Sequence, residues 1–368
     1  MRRRSVIALV AGVVGAGSLY LVFSTASNRV GVGMTGTATT QTIITTPTAE
    51  TTATSPATTP RQTTTTPAQT QQTTTETPQP RWIVEEPLPT GLTEVAMVAD
   101  ASTLYLAGGL TADGDASSRF FAYDVSLRRW RELSPMPAAL HHVGLAYLDG
   151  VVYLLGGYDR GWRAQRNVYG YSVKRDSWEE LTPMPEARGA FTAQAVKGLV
   201  YAVGGARNNV PLNANEAYNP SSNEWTPRQP MRIAREHLAS GAVGGKIYVI
   251  GGRVVSGNTM TNLDVVEEYD VESGVWRTRR PMPTARSGLA AAVVEGRVYV
   301  CGGESQVKTF SEVEAYDPVS DRWAKVADLP TPRHGLGVAA VGGKLYTVSG
   351  GPSPGLTVSS VNEVLILG

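Results

Sequence analysis

The chain has 368 residues, 33 Lys and Arg against 32 Asp and Glu, a formal net charge of +1 and one cysteine, Cys301. That balance excludes the basic footprint of a nucleic-acid-binding protein, and a lone cysteine excludes an internal disulfide framework. Only from about residue 81 onward is the apolar content high enough to bury a core.

Three segments are expected in chain order: an anchor or signal sequence over residues 1–28, a linker over 29–80 and a folded domain over 81–368. Arg2, Arg3 and Arg4 precede an uncharged stretch that lasts to Arg29. Within it Val6 to Phe23, as a helix, would span about 27 Å, close to a bilayer core. An uncleaved membrane anchor is therefore expected, with a cleaved signal peptide ending near Ser24 and Ala26 as the alternative. Arg3 and Arg4 before Ser5 also fit a twin-arginine signal loosely. The clustered arginines would stay cytoplasmic, which puts the remainder of the chain outside the cell membrane, or in the medium if the segment is cleaved. Residues 35 to 79 contain 22 threonines. Such a Thr/Pro-rich segment cannot form a core and reads as a disordered stalk, either O-glycosylated or unmodified, with a reach on the order of 100 Å. Five Arg and two Glu fall in residues 1–80, so the folded part keeps 28 basic and 30 acidic residues, a charge of −2.

From there the sequence repeats. LYLAGG (104–109), VYLLGG (152–157), VYAVGG (200–205), IYVIGG (247–252), VYVCGG (298–303) and LYTVSG (345–350) recur at spacings of 48, 48, 47, 51 and 47 residues. About twenty residues beyond each of the first five stands a Trp: Trp130, Trp178, Trp225, Trp276 and Trp323. Each unit reads as four short strands: a, small and apolar; b, ending in the di-glycine; c, carrying an aromatic; and d, beginning near the Trp, with turn residues between them.

The period, the di-glycine and the Tyr and Trp placement resemble the kelch repeat over residues 82 to 367. The resemblance implies an all-β, six-bladed β-propeller, each blade a four-stranded sheet around a central channel. A monomeric propeller is expected. The sixth unit has no Trp strand of its own. Trp82 precedes Pro87 and Pro89 by five and seven residues, as Trp276 precedes Pro281 and Pro283. The nonapeptide RWIVEEPLP is therefore expected to be strand d of the sixth blade, closing the ring and covering a sheet edge. Strands alternate in direction, so the d–a and b–c loops share one face. A stalk entering at strand d would turn that face away from the membrane.

Four arginines occupy matched slots after the Pro-Met-Pro motif: Arg188, Arg235, Arg286 and Arg333. In the same units strand c carries Glu216, Glu267, Glu314 and Glu363, whereas the first two units hold Leu92 and Leu140 opposite Phe121 and Tyr169. Arg travels with Glu, and Leu with an aromatic, as expected of a partly buried contact, because a buried charge without its partner is costly. These eight residues are taken as structural pairs.

The two residues after that slot vary: Thr93-Glu94, His141-His142, Gly189-Ala190, Glu236-His237, Ser287-Gly288 and His334-Gly335. They include all four histidines of the chain. Because the His-bearing units 2, 4 and 6 should lie on different sides of the channel, with no HxH or HExxH spacing, no metal site or cofactor is expected. Instead His141, His142, Glu236, His237 and His334 are expected at the polar rim of a binding surface. The loop YDRGWRAQRN carries Trp162, the one Trp outside the repeat register, with Arg163 beside it, a composition that suits a recognition hot spot; a Trp folded back over its own blade is the alternative. By resemblance to peptide-binding kelch domains, Tyr158, Arg253 and Glu304 join His141, Glu236, Ser287 and His334 as ligand contacts, while Leu110, Ala206 and Gly351 do not look like contact residues.

The expected function is a binding module for a protein or glycan ligand. A galactose-oxidase-like copper site needs a Tyr cross-linked to a Cys, and Cys301 sits in a core slot of strand b. No catalytic residue is assigned. The alternative is a cofactor-free sugar epimerase or mutarotase using Glu236 and His237 as acid and base.

Overall fold

The structure, a computed structural model, describes residues 79–257 and 259–368. The expected anchor and the Thr-rich stretch to residue 78 lie outside them. Among the described residues there is no helix long and apolar enough to cross a membrane.

The repeats fold as six four-stranded antiparallel sheets arranged as a six-bladed propeller. Blade 1 is typical: strands a to d are Ala96–Ala99, Thr103–Ala107, Phe120–Asp124 and Arg129–Glu132. Strands b and c are the most buried, because their apolar residues face neighbouring blades on both sides of the sheet, whereas strand d buries little beyond its Trp. Blade 6 joins the two ends of the domain. Gly337–Val341, Lys344–Val348 and Asn362–Ile366 are completed by Arg81–Val84, with Trp82 opposite Leu365 and Val84 opposite Glu363. The chain thus enters the ring at the c–d end of that blade. Two-stranded hairpins extend the b–c loops of blade 3 (Ala206–Arg207 with Val210–Pro211) and blade 4 (Arg253–Ser256 with Thr259–Asn262).

Six apolar clusters fill the six seams between blades. The seam between blades 6 and 1 contains Val348, Val364, Leu106, Phe121 and Trp130, while Trp82 packs into the seam between blades 5 and 6. Cys301 is buried in that second seam, where burial pushes its thiol up to about 12. In five blades the Trp indole N–H reaches back to a carbonyl of the preceding blade: Trp130 to Glu86, Trp178 to Ser134, Trp225 to Thr182, Trp276 to Gln229 and Trp323 to Arg280. The sixth indole N–H, on Trp82, is buried without such a partner. Its neighbour, blade 5, is also the blade whose c–d pairing shifts register between Val313 and Glu314.

The matched arginines are all fully buried and reach the strand c carboxylates of their own blades. Arg188 is 2.6 Å from Glu216, Arg286 2.5 Å from Glu314 and Arg333 2.8 Å from Glu363, and Arg235 pairs with Glu267. Each guanidinium also donates to strand b carbonyls, such as Ala202, Val249, Val300 and Thr347. In blades 1 and 2 the same slots hold Leu92 with Phe121 and Leu140 with Tyr169, packed into apolar seams.

Candidate functional site at the channel mouth

Two concentric rings of backbone hydrogen bonds build the face that carries the d–a and b–c loops. In the outer ring the residue after each arginine slot exchanges both N–H···O bonds with the residue after the di-glycine. The pairs are Thr93 with Leu110, His141 with Tyr158, Gly189 with Ala206, Glu236 with Arg253, Ser287 with Glu304 and His334 with Gly351. This ring explains the second glycine of each repeat. At Gly157, with φ +96°, an added Cβ would lie 2.7 Å from the His141 carbonyl oxygen, and at Gly252 2.6 Å from that of Glu236. Glycine alone allows that approach and that φ.

The inner ring is formed by the next residue of each blade, all six in the left-handed region: Glu94, His142, Ala190, His237, Gly288 and Gly335, with φ between 52° and 63°. His142 N donates to Glu94 O, Ala190 N to His142 O, His237 N to Ala190 O, Gly288 N to His237 O and Gly335 N to Gly288 O, at 2.8–3.1 Å; Val95 N closes the circuit on Gly335 O. Each non-glycine member costs roughly 1–2 kcal/mol of backbone strain. The belt gathers residues from separate blades around one axis.

The belt overturns the expectation that the histidines of blades 2 and 4 lie apart. His142 Nε2 is 3.0 Å from His237 Nε2 and 3.1 Å from Glu94 Oε2. The residue contributions then run around the mouth as a closed polar circuit. His237 Nε2 meets Arg253 Nη2 at 3.1 Å; Arg253 bonds Glu236 at 2.9 Å and Glu304 at 3.2 Å; Glu304 lies 3.7 Å from His334 Nδ1; and His334 Nδ1 returns to Glu94 Oε1 at 3.2 Å. Glu94 was only one of twelve variable positions in the sequence; its equivalence to His142 and His237 in the repeat was the signal that it belongs with them. Its carboxylate, with the nitrogens of His142 and His237, is the group of side chains here that could hold a metal ion.

Burial is the largest influence on the charges of Glu94, His141, His142, Glu236 and His334. It lowers His141 to about 4 and His142 well below the usual range. Burial also works against a charged His334, but its hydrogen bond to Glu94 and the charges of Glu94 and Glu304 outweigh it and raise His334 to about 9. Burial likewise opposes the Glu94 carboxylate, yet the surrounding histidines hold its carboxyl well below the usual range. Glu236 is held down to about 2 by His237 and Arg253 despite its burial. A carboxyl so firmly ionised is poorly matched to proton donation near neutral pH.

The side chains expected at a polar rim or as ligand contacts are mostly beneath the surface. His141, Ser287 and His334 are at most 2% exposed, and Tyr158 and Glu236 6%. His334 lies under the blade 6 loop, with Nε2 3.1 Å from Ser353 O and 3.0 Å from Gly355 O. Ser287 bonds Asn262 of the blade 4 hairpin. The Tyr158 ring lies against Gly189, where a Cβ would be 2.4 Å away, and its hydroxyl donates to Ala206 O. Trp162 combines both expected placements: it lies edge-on to His141 with centroids 4.5 Å apart, yet is 58% exposed. Its loop is tied down by Asp159, whose carboxylate accepts from the backbone N–H of Gly161 and Arg163 and from the side chains of Arg163 and Gln165. Arg160 bridges to Asp115 of blade 1 at 2.9 Å. Arg160, Arg163 and Arg166 flank Trp162 in sequence and are exposed.

Below the inner ring the strands a line a cavity of about 420 Å³, walled largely by small residues such as Ala96, Gly144, Ala193 and Gly241, with Glu94, His142 and His237 among its lining. In comparison with known families, the chain matches the family described as KLHDC2/KLHL20/DRC7 Kelch-repeats domain, over residues 62–252 and 227–367. No curated protein matches it.

Proposed function

Because the chain belongs to the kelch-repeat family, whose propeller supports a protein-interaction module, we propose that this one binds a protein partner through the d–a and b–c loop face, outside the cell and tethered by its N-terminal segment. The observation that carries the choice of face is Trp162. A large indole is held half-exposed on a loop already ordered by Asp159, which also carries the exposed Arg160, Arg163 and Arg166. A pre-ordered aromatic on an arginine-bearing loop loses little entropy on binding and suits a partner surface with apolar and acidic groups. The outward orientation rests on Arg2 to Arg4 before the apolar Val6–Phe23 stretch and on the entry of the chain at the opposite, c–d end of blade 6.

The test is capture of extracellular proteins by the immobilised full chain, with a glycan array run beside it. A saturable protein partner is expected, weakened by Trp162→Ala roughly 30-fold, the equivalent of about 2 kcal/mol, with unchanged melting temperature. A partner that binds Trp162→Ala and Arg163→Glu as well as wild type refutes the assignment of this face, and binding of glycans alone refutes the protein reading.

A further inference from the structure

The side chains of the inner ring bring two imidazole nitrogens and a carboxylate oxygen within 4.8 Å of one another. His141 Nε2 lies 3.3 Å from the Asp159 carbonyl oxygen, which can only accept, so that nitrogen carries the proton. His141 Nδ1 is then a lone pair, and its 2.5 Å contact with His142 Nδ1 requires the proton to be on His142 Nδ1. His142 Nε2 becomes a lone pair in turn, facing Glu94 Oε2 at 3.1 Å and His237 Nε2 at 3.0 Å. Glu94 spends its other oxygen on His334, and His237 Nε2 accepts from Arg253 Nη2. Two imidazole nitrogens and a carboxylate oxygen thus converge with nothing donated between them. Moving the proton to His142 Nε2 relieves this only by reversing the His141 contact and abandoning Asp159. Either a second proton on His142 Nε2, donated to Glu94, or a cation among the three groups keeps the His141 and Asp159 contacts in place.

We propose that Glu94, His142 and His237 form a binding site for one divalent first-row transition-metal ion, with Zn(II) the best-matched probe. Two imidazoles and a carboxylate are a common three-ligand set for such ions, and bonds of 2.0–2.1 Å place adjacent ligand atoms about 3.0–3.4 Å apart, depending on geometry. The separations from His142 Nε2, 3.0 and 3.1 Å, fall at that spacing, while Glu94 and His237, within 4.8 Å of each other, must draw closer around the ion. The supporting residues are of the kind that orient metal ligands. His142 Nδ1–H is held by His141, which is held by Asp159; Glu94 Oε1 is held by His334; and His237 Nδ1 faces Glu236 Oε1 at 3.5 Å. Arg253 is the group that must yield, turning Nη2 from His237 while keeping its bonds to Glu236 and Glu304. Three protein ligands leave at least one coordination position for water or a small donor, and all three side chains line the channel cavity.

This inference is independent of the partner-binding reading, and its test uses the ion alone. The chain contains four histidines, all in this cluster, and its single cysteine is buried elsewhere, so background uptake is low. The untagged full chain is stripped with chelator, dialysed and titrated with Zn(II), with metal content read by mass spectrometry and Co(II) substitution read by visible absorption. One ion per chain is expected, with Co(II) bands of a low-symmetry site. Glu94→Gln and His237→Gln should each weaken uptake at least 100-fold and His334→Gln by roughly 10- to 100-fold. Absence of saturable one-to-one uptake by the wild-type chain overturns the site whether or not the variants fold, as does equal affinity in wild type and a folded His237→Gln chain.

Discussion

Replacing Arg235 with Leu should destabilise the propeller severely, and replacing Glu267 with Phe in the same chain should restore part of the loss. Arg235 and the Glu267 side chain are 0% and 1% exposed. Arg235→Leu alone leaves a buried carboxylate with only the Arg232 backbone N–H on its other oxygen, a loss of about 3–5 kcal/mol. Glu267→Phe alone strands a buried guanidinium at similar cost. The double variant recreates the Leu92 and Phe121 arrangement of blade 1. What it lacks are the Arg235 bonds to Val249 O and Ile233 O and the Glu267 bond to Arg232 N, each worth about 1 kcal/mol, so its net loss should be about 3 kcal/mol. The coupling energy in the double-mutant cycle is therefore about 3 kcal/mol or more in favour of the pair. The assay is chemical denaturation of the four proteins, supported by melting temperatures, in which the single variants should fall by roughly 6–10 °C. Additive losses in the double variant, or an Arg235→Leu chain that melts like wild type, would refute the structural reading of the Arg and Glu slots.

Three further outcomes follow from the same coordinates. Trp82→Ala should cost about 2–3 kcal/mol, because the indole fills the seam between blades 5 and 6 but forms no N–H bond to its neighbour, and deletion of residues 81–87 should open the ring, which limited proteolysis would detect. Burial raises the Glu268 carboxyl, but Lys246, 2.8 Å away, and Arg279 outweigh this and hold it below its usual value. Its contribution to stability is thus present above the unfolded value near 4.5 and lost as pH falls through the lower folded value, so Glu268→Gln should flatten this acid limb in urea denaturation measured against pH. Protein recovered from its native membrane should have an intact mass that retains residues 1–28; a mass beginning near residue 27 would show cleavage and refute the tether.

Much of the fold was legible because it is written locally and then repeated. The Tyr strand, the di-glycine and the Trp at a period near 48 residues set each blade, and Trp82 stood out as an orphan copy of strand d. The Arg and Glu slots were legible for the same reason, since six repeats expose which residues are exchanged together. The site was less so. Sequence comparison aligned Glu94, His142 and His237 in one slot, but counting blades around a ring placed the two histidines apart, and it put His141 and His334 at a polar rim and Ser287 among the ligand contacts.

What the sequence determined by itself is therefore the content of each blade, the closure of the ring and the face on which variation is concentrated. Only the tertiary structure decided that variable residues 95 positions apart, His142 and His237, touch. The reason is geometric: six left-handed residues linked N–H to C=O draw the strand entries into a belt narrow enough for side chains to meet across it. The width of that belt is a property of six packed seams acting together, and no single repeat encodes it.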